Sequence, residues 1–206
     1  MRVIAGQQRG HRLRVPRGRR VRPTLARAKA SLFDILASRG LVEGARILDL
    51  FAGSGALGIE ALSRGAESVV FVEQDRFTAR VLRGNVAASR YEARASVMVQ
   101  SCAQVLRQLR RRGEVFDGVF VDPPYGTSWA DRMLRELAAG TLLRRGGWVI
   151  VHHRHGEAPE LAYEALVASQ RRRTGSAVIV LYEREDDNQG VDCLDGLGGE
   201  MPERPR

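Results

Sequence analysis

Short apolar runs and longer amphipathic stretches alternate along most of this chain. Residues 46–51, 68–73, 95–100, 116–121 and 147–152 are strand-length runs rich in Val, Ile, Leu and Phe. Nearly continuous apolar runs of that length are what parallel strands buried on both faces look like. Between them, residues 56–64, 75–89, 102–112 and 129–139 repeat apolar side chains at helical spacing, as Phe77, Val81, Leu82 and Val86 do. Repeated strand–helix units predict an α/β fold with a doubly wound, mostly parallel sheet and helices on both faces. Residues 165–170 and 177–182 predict two further strands, paired antiparallel.

Ahead of the first unit, residues 2–5 and 12–15 alternate around Gly6 and Gly10, which predicts a β-hairpin. After Pro23, with Thr24 as its N-cap, Leu25, Ala28, Leu32, Ile35 and Leu36 predict a helix ending near Gly40. The chain therefore divides into an extension over residues 1–40, a main domain over 41–185 and a tail over 186–206. The tail is rich in Gly, Asp, Glu and Pro without periodicity, and is expected to be disordered.

The first strand runs into Asp49, Phe51 and glycines at 53, 55 and 58, with a helix pattern following at once. Strand, Gly-x-Gly-x-x-Gly turn and helix are the setting in which such a loop binds an adenosine-containing ligand. Glu73 closes the next strand, where a carboxylate can accept from both hydroxyls of a ribose. That layout serves a dinucleotide or a methyl donor equally well. Asp49 separates the two. A carboxylate there would repel a pyrophosphate but favours a cationic amino group, which S-adenosylmethionine carries. The bland alternative is that Asp49 accepts from a neighbouring backbone amide.

Asp122, Pro123, Pro124 and Tyr125 end the fourth strand, at the edge of an open α/β sheet where ligands bind. Two prolines stiffen the turn and remove its amide donors, so the Asp122 carboxylate and the Pro123 carbonyl can both accept from one planar amino group. Tyr125 offers a ring on which a base can stack, worth about 1–3 kcal/mol. An exocyclic base amine is a poor nucleophile because its lone pair is delocalised, and two acceptors favour the pyramidal form that can attack. Asp122 or water then takes the proton. The alternative is an ordinary Pro-Pro turn with an incidental Asp and Tyr.

Composition bounds the remaining choices. The chain has 206 residues, 44% hydrophobic and 28% charged, which suits one soluble domain with appendages. No run has the roughly 20 apolar residues that cross a bilayer, and no signal peptide is recognisable, so cytoplasmic residence is expected. Cys102 and Cys193 make no disulfide framework, and His11, His152, His153 and His155 form no ligand pattern, so no metal is expected. The net charge is +9, and no acidic residue precedes Asp34. An acid-free arm suggests a polyanionic partner, and nucleic acid is the commonest. Lys29 is the only lysine, so a bias toward Arg also shapes the arm. That bias does not explain the missing acids.

At these residues the chain resembles the class I methyltransferases that modify exocyclic amines of nucleobases, with Asp-Pro-Pro-Tyr in place of the related Asn-Pro-Pro-Tyr. More narrowly it resembles the RsmD family, the bacterial 16S (small-subunit) ribosomal RNA guanine-N2 methyltransferases. The matching segments are MRVIAGQQRGHRL, RPT with LFDIL, ILDLFAGSGALGIEALSRGAESVVFVE and VFVDPPY, with RRRTGSAVIVLY a weaker match. The resemblance implies a Rossmann-like fold and S-adenosyl-L-methionine held by Asp49, Phe51, Ala52, Gly53, Ser54, Gly55, Glu73, Gln74, Ser101, Cys102 and Asp122. It places Asp122, Pro123, Pro124 and Tyr125 on the guanine. It also implies an arm, with Arg9, Arg12, Arg17, Arg19, Arg20, Arg22 and Arg27, that helps to hold ribosomal RNA or a small-subunit assembly particle. A monomer is expected.

Two departures stand out. Leu25 and Ala26 replace a polar segment that follows RPT in the family, and Cys102 stands where an acid usually ends the third strand. The second predicts weaker or differently made adenine contacts. Two rival readings survive: a DNA adenine or cytosine amino-methyltransferase, and a catalytically idle RNA-binding relative. Only about 40 residues precede the domain, little for a DNA target-recognition region.

Overall fold

The computed structural model describes residues 1–16, 23–156 and 159–185. Strands β1 (Arg46–Leu50), β2 (Ser68–Val72), β3 (Ala95–Met98), β4 (Phe116–Val121) and β5 (Leu143–Arg154) run parallel. They continue into β6 (Ala162–Tyr163), β7 (Leu166–Thr174) and β8 (Ala177–Arg184), which pair antiparallel. The eight form one sheet in the order β3-β2-β1-β4-β5-β8-β7-β6. Five parallel strands extended by three antiparallel ones make a Rossmann-like α/β sheet.

Side chains alternate through this sheet into two apolar layers. Ile47, Phe120, Trp148 and Ile150 face α1 (Pro23–Ser38), α2 (Ala56–Ser63) and α3 (Arg76–Ala88). Leu48, Leu50, Val119, Val121 and Val149 face α4 (Cys102–Arg111) and α5 (Trp129–Ala138). Gly58 lets α2 press on β2. A Cβ there would stand 2.2 Å from the Phe71 ring and 2.8 Å from Val69.

Differences from expectation are local. Helix α1 begins at Pro23, so Thr24 lies inside its first turn and is not the N-cap. Proline suits that position because its fixed φ is helical and its missing N–H would find no partner there. Strand β5 is twice the expected length, because the Leu143 end pairs with Phe116 across a register shift. Strand β6 has only two residues, too few to leave an alternation in the sequence. The tail over residues 186–206 lies outside the described residues.

Residues 1–13 form a tight turn-back with an antiparallel bridge between Arg2 and Arg12. The Val3 amide donates to the His11 carbonyl at 3.0 Å, and the Leu13 amide to the Met1 carbonyl at 2.8 Å. Val3 and Leu13 join the same apolar layer as α1, α2 and α3. Polar groups on the main body complete the docking. Glu60, fully buried on α2, accepts from the Ile4 amide at 2.8 Å, the Ala5 amide at 3.0 Å, Lys29 Nζ at 2.7 Å and Arg64 Nε at 2.9 Å. Two donors on each oxygen fill a carboxylate's capacity. Ser63 Oγ donates to the Ala5 carbonyl and accepts from the Gln8 amide, while Asn85 takes both the amide and the carbonyl of Arg14.

Burial alone would push the Glu60 carboxyl up, but Lys29, Ile4 and Arg64 outweigh it and hold it below its usual range. Removing one partner of a buried pair typically costs about 3–5 kcal/mol, because the other charge stays uncompensated. Glu60→Ala, which strands Lys29, is expected to cost about that much in urea unfolding. Ser63→Ala, which removes neutral hydrogen bonds, is expected to cost about 1–2 kcal/mol. Equal losses would contradict the central place of Glu60.

Candidate active site

The sheet reverses its winding between β1 and β4, which lie side by side with Leu50 opposite Val121. The crevice beyond such a switch point is where open α/β sheets bind ligands. It receives the loop after β1 and the turn after β4, so Phe51 and Asp122 leave adjacent strands together. Strand β5 is the next neighbour, with Val151 opposite Val121, and His152 follows beside Asp122.

On the β1 side the backbone is bent by left-handed residues. Phe51 has φ 61°, Gly53 φ 57° and Gly55 φ 81°. The glycines adopt this freely, but Phe51 is a bulky residue held in a strained conformation, which costs about 1–3 kcal/mol and persists only where the surroundings enforce it. Here the Phe51 ring lies 6.0 Å from that of Trp129, and its amide reaches the Cys102 sulfur. The Ala52 amide donates to the Val72 carbonyl at 2.9 Å, and the Ser54 carbonyl accepts from Asn85 Nδ2 at 2.8 Å. Asn85 thereby ties the glycine loop to Arg14 of the amino-terminal segment.

Two buried carboxylates back this loop. Glu73 accepts from the Gly53 amide at 3.1 Å and the Asp75 amide at 2.9 Å, while its neighbour Gln74 is exposed. Asp49 is buried behind the loop and accepts from the Gly58 amide at 3.0 Å. The alternative reading of Asp49, as an acceptor for a neighbouring backbone amide, is thus borne out. It does not account for the rest of the charge. Burial, with Asp122 and Glu73 nearby, pushes its carboxyl up to about 8 against the pull of the Gly58 amide. Among the described residues no Lys or Arg pairs with it. A buried carboxylate lacking a cation suits a ligand that brings one.

At the far end of the crevice Ser101 caps α4 through a reciprocal exchange with Gln104. Cys102, the first helical residue, is buried, and burial pushes its thiol up to about 11. The sulfur is therefore a neutral thiol beside the Phe51 amide, not an anionic acceptor.

The β4 side presents Asp122, about one-third exposed, then Pro123 buried, and Pro124 and Tyr125 exposed. Thr127 Oγ1 donates to the Pro124 carbonyl at 2.7 Å. Sequence alone assigns His152 no role, and the structure gives it one. Its Nδ1 lies 2.7 Å from Asp122 Oδ1, and its Nε2 lies 3.4 Å from the Tyr125 hydroxyl. Burial disfavours the imidazolium, but the hydrogen bond and charge of Asp122 prevail and raise its pKa. A two-residue His-His step on a strand carries no signal that singles one out.

A small cleft opens beside this turn. Met1, Ala28, Lys29 and Leu32 of the amino-terminal segment line it together with Asp122 and His152. Arg9, Arg12 and Arg27 are exposed, whereas Arg17, Arg19, Arg20 and Arg22 lie outside the described residues. Among the described residues no three His, Cys, Asp or Glu side chains gather as a metal site, and no helix is long and apolar enough to cross a membrane.

The family described as conserved hypothetical protein 95 matches residues 1–183. Ribosomal RNA small subunit methyltransferase D of Haemophilus influenzae is 33% identical over 89% of this chain and 93% of its own length. The chain belongs to this family. Another RsmD-family relative, ribosomal RNA small subunit methyltransferase D of Escherichia coli K12, is 37% identical over 72% of this chain and 69% of its own. A solved structure, yhhF from Escherichia coli, superposes with a TM-score of 0.79 at 32% identity, covering 90% of this chain and 98% of that one.

The Asp49 carboxyl has a testable linkage. Its pKa is raised from the ordinary 3.8 to about 8 in the folded chain. Its contribution to stability is therefore fully present below about pH 4 and is lost as pH rises through about 8. Asp49→Asn keeps an acceptor for Gly58 without the charge. Urea unfolding of the free protein should show this variant gaining on wild type by up to about 1.4 kcal/mol per unit rise in pH between about 4 and 8, and levelling outside that window. A difference that does not vary with pH would contradict the assignment.

Proposed function

We propose that this chain transfers a methyl group from S-adenosyl-L-methionine to the exocyclic N2 amine of a guanine in 16S ribosomal RNA. The observation that carries the reading is adjacency. The glycine loop and the Asp-Pro-Pro-Tyr turn leave neighbouring parallel strands, so a donor on one faces an acceptor on the other.

The donor side fits the cofactor residue by residue. Left-handed Gly53 and Gly55 keep the loop low, Glu73 would accept from the ribose hydroxyls, and Asp49, pushed toward its neutral form in the free protein, would ionise to pair with an ammonium. Ser101 and Cys102 flank the adenine end, where a neutral thiol makes a weaker contact than a carboxylate would. Bound there, S-adenosylmethionine supplies an electrophilic methyl on a sulfonium.

The acceptor side does the rest. Asp122 and the Pro123 carbonyl accept from the two amine hydrogens and turn the nitrogen lone pair toward the loop. Tyr125 lies under the base. Attack of nitrogen on the methyl carbon would break its bond to sulfur and leave a neutral thioether, and Asp122 would stabilise the positive charge gained by nitrogen from hydrogen-bond distance. The proton then leaves to Asp122 or to water. A guanine amine can be reached this way only in a base that is unpaired or turned out of its stack.

The exposed arginines Arg9, Arg12 and Arg27, with Arg17, Arg19, Arg20 and Arg22, supply phosphate contacts whose contribution falls as salt rises. The substrate is the RNA or a small-subunit assembly particle, met by a cytoplasmic monomer. A DNA amino-methyltransferase is the nearest rival, and an idle RNA-binding relative the next.

One experiment separates these. Labelled methyl from the cofactor should appear on small ribosomal subunits or their RNA, at a guanine N2, and not on DNA. Asp122→Ala should lower kcat by about 10²-fold or more. Label on DNA or at another base atom, or no label at all, would overturn the reading.

A further inference from the structure

His152 belongs to none of the motifs that carry the proposed reaction, yet both polar ends of the acceptor turn converge on it. Asp122 and Tyr125 flank two prolines beyond the end of β4, outside its backbone ladder. Asp122 is about one-third exposed and Tyr125 is 41% exposed. Without a brace, the Asp122 carboxylate would sample several rotamers, and ordering it would fall to the moment of binding. His152, in contrast, is only 5% exposed and sits in β5, paired with Ile179 on β8. It is the rigid partner of two more exposed ones.

We propose that His152 is the positioning residue of the acceptor site, one imidazole bracing Asp122 through Nδ1 and Tyr125 through Nε2. The inference rests on the function proposed above. A carboxylate has no proton to give, so Nδ1 carries the hydrogen and donates to Asp122 Oδ1 at 2.7 Å. That bond fixes the carboxylate rotamer and leaves Oδ2 for the amine of the incoming base. The same ring then meets Tyr125 edge-on, with centroids 5.9 Å apart and the hydroxyl 3.4 Å from Nε2. The rigid imidazole couples the group that aims the amine to the ring that stacks the base. His152 also lines the cleft beside Asp122, so it lies where the base edge would enter.

A competing explanation is that His152 is a buried histidine that merely needs an acceptor for its own N–H. Two amide variants distinguish these roles, because each replaces one ring nitrogen. His152→Asn places its amide near Nδ1 and keeps the Asp122 brace while losing Tyr125. His152→Gln places its amide near Nε2 and keeps the Tyr125 contact while losing Asp122. Methyl transfer to small-subunit RNA is measured with each variant, alongside cofactor affinity by calorimetry.

The Asn variant should keep kcat within about 3-fold and raise the KM for RNA by about 10-fold, as part of the stacking contribution is lost. The Gln variant should do the reverse, lowering kcat by about 10- to 100-fold, the order expected of a misplaced reacting group, with KM for RNA little changed. Cofactor affinity should match wild type in both. Variants that leave kcat and KM unchanged, or shift both together to the same degree, would overturn the proposal while wild type remains active. If either variant fails to fold, Tyr125→Phe removes the surface hydroxyl alone. A KM for RNA equal to wild type in that variant would overturn the Tyr125 half of the brace. Inactivity of wild type on ribosomal RNA would instead overturn the function on which the proposal rests.

Discussion

The place of the amino-terminal segment, and with it one side of the crevice, depends on the buried carboxylate of Glu60. A carboxylate withdrawn from water must be met by donors on all its lone pairs, or it costs several kcal/mol. Glu60 finds them in the amides of Ile4 and Ala5, the ammonium of Lys29 and the guanidinium of Arg64. Arg64 in turn covers the Phe33 ring of α1 from 4.7 Å. Three of the four donors come from the first 29 residues, so the amino-terminal segment has one place to lie. Since Glu60 is on α2, which starts at the glycine loop, that place is beside the crevice. Met1, Lys29 and Leu32 thereby line the same cleft as Asp122.

The arrangement also decides which basic residues are available to a polyanion. Lys29 belongs to the acid-free arm, but its charge is consumed inside the protein and is not available to a phosphate. Arg9, Arg12 and Arg27 point outward. The extension is thus part of the core on one side and a basic surface on the other, and Val3 and Leu13 share an apolar layer with Ile47 and Phe71.

Within the crevice, similar carboxyl groups differ because their surroundings differ. Asp49, buried with one amide donor and two like charges nearby, is pushed toward its neutral form. Asp122, at the strand end, keeps contact with water and with His152. One is withdrawn from water, the other open to it.

The residues nearest one another in the chain are legible from the amino-acid order alone. Asp49, the glycines at 53, 55 and 58, Glu73 and the Asp122–Tyr125 turn declare themselves because each motif is local. Strand, turn and helix follow from period and punctuation within about 15 residues. The parallel sheet and the antiparallel pair near the carboxyl end follow from the same periodicity. Sequence does not reveal what depends on which strands lie side by side. His152 meets Asp122 only because β5 packs next to β4, 30 residues later in the chain. Glu60 reads as an ordinary polar position on a helix until the amino-terminal segment folds over it, and Asn85 until Arg14 and Ser54 reach it from either side. The sequence by itself determined the elements and the motifs each carries. The tertiary structure decided which side chains share a buried space, because hydrogen-bond satisfaction there is settled by neighbours that spacing along the chain does not specify.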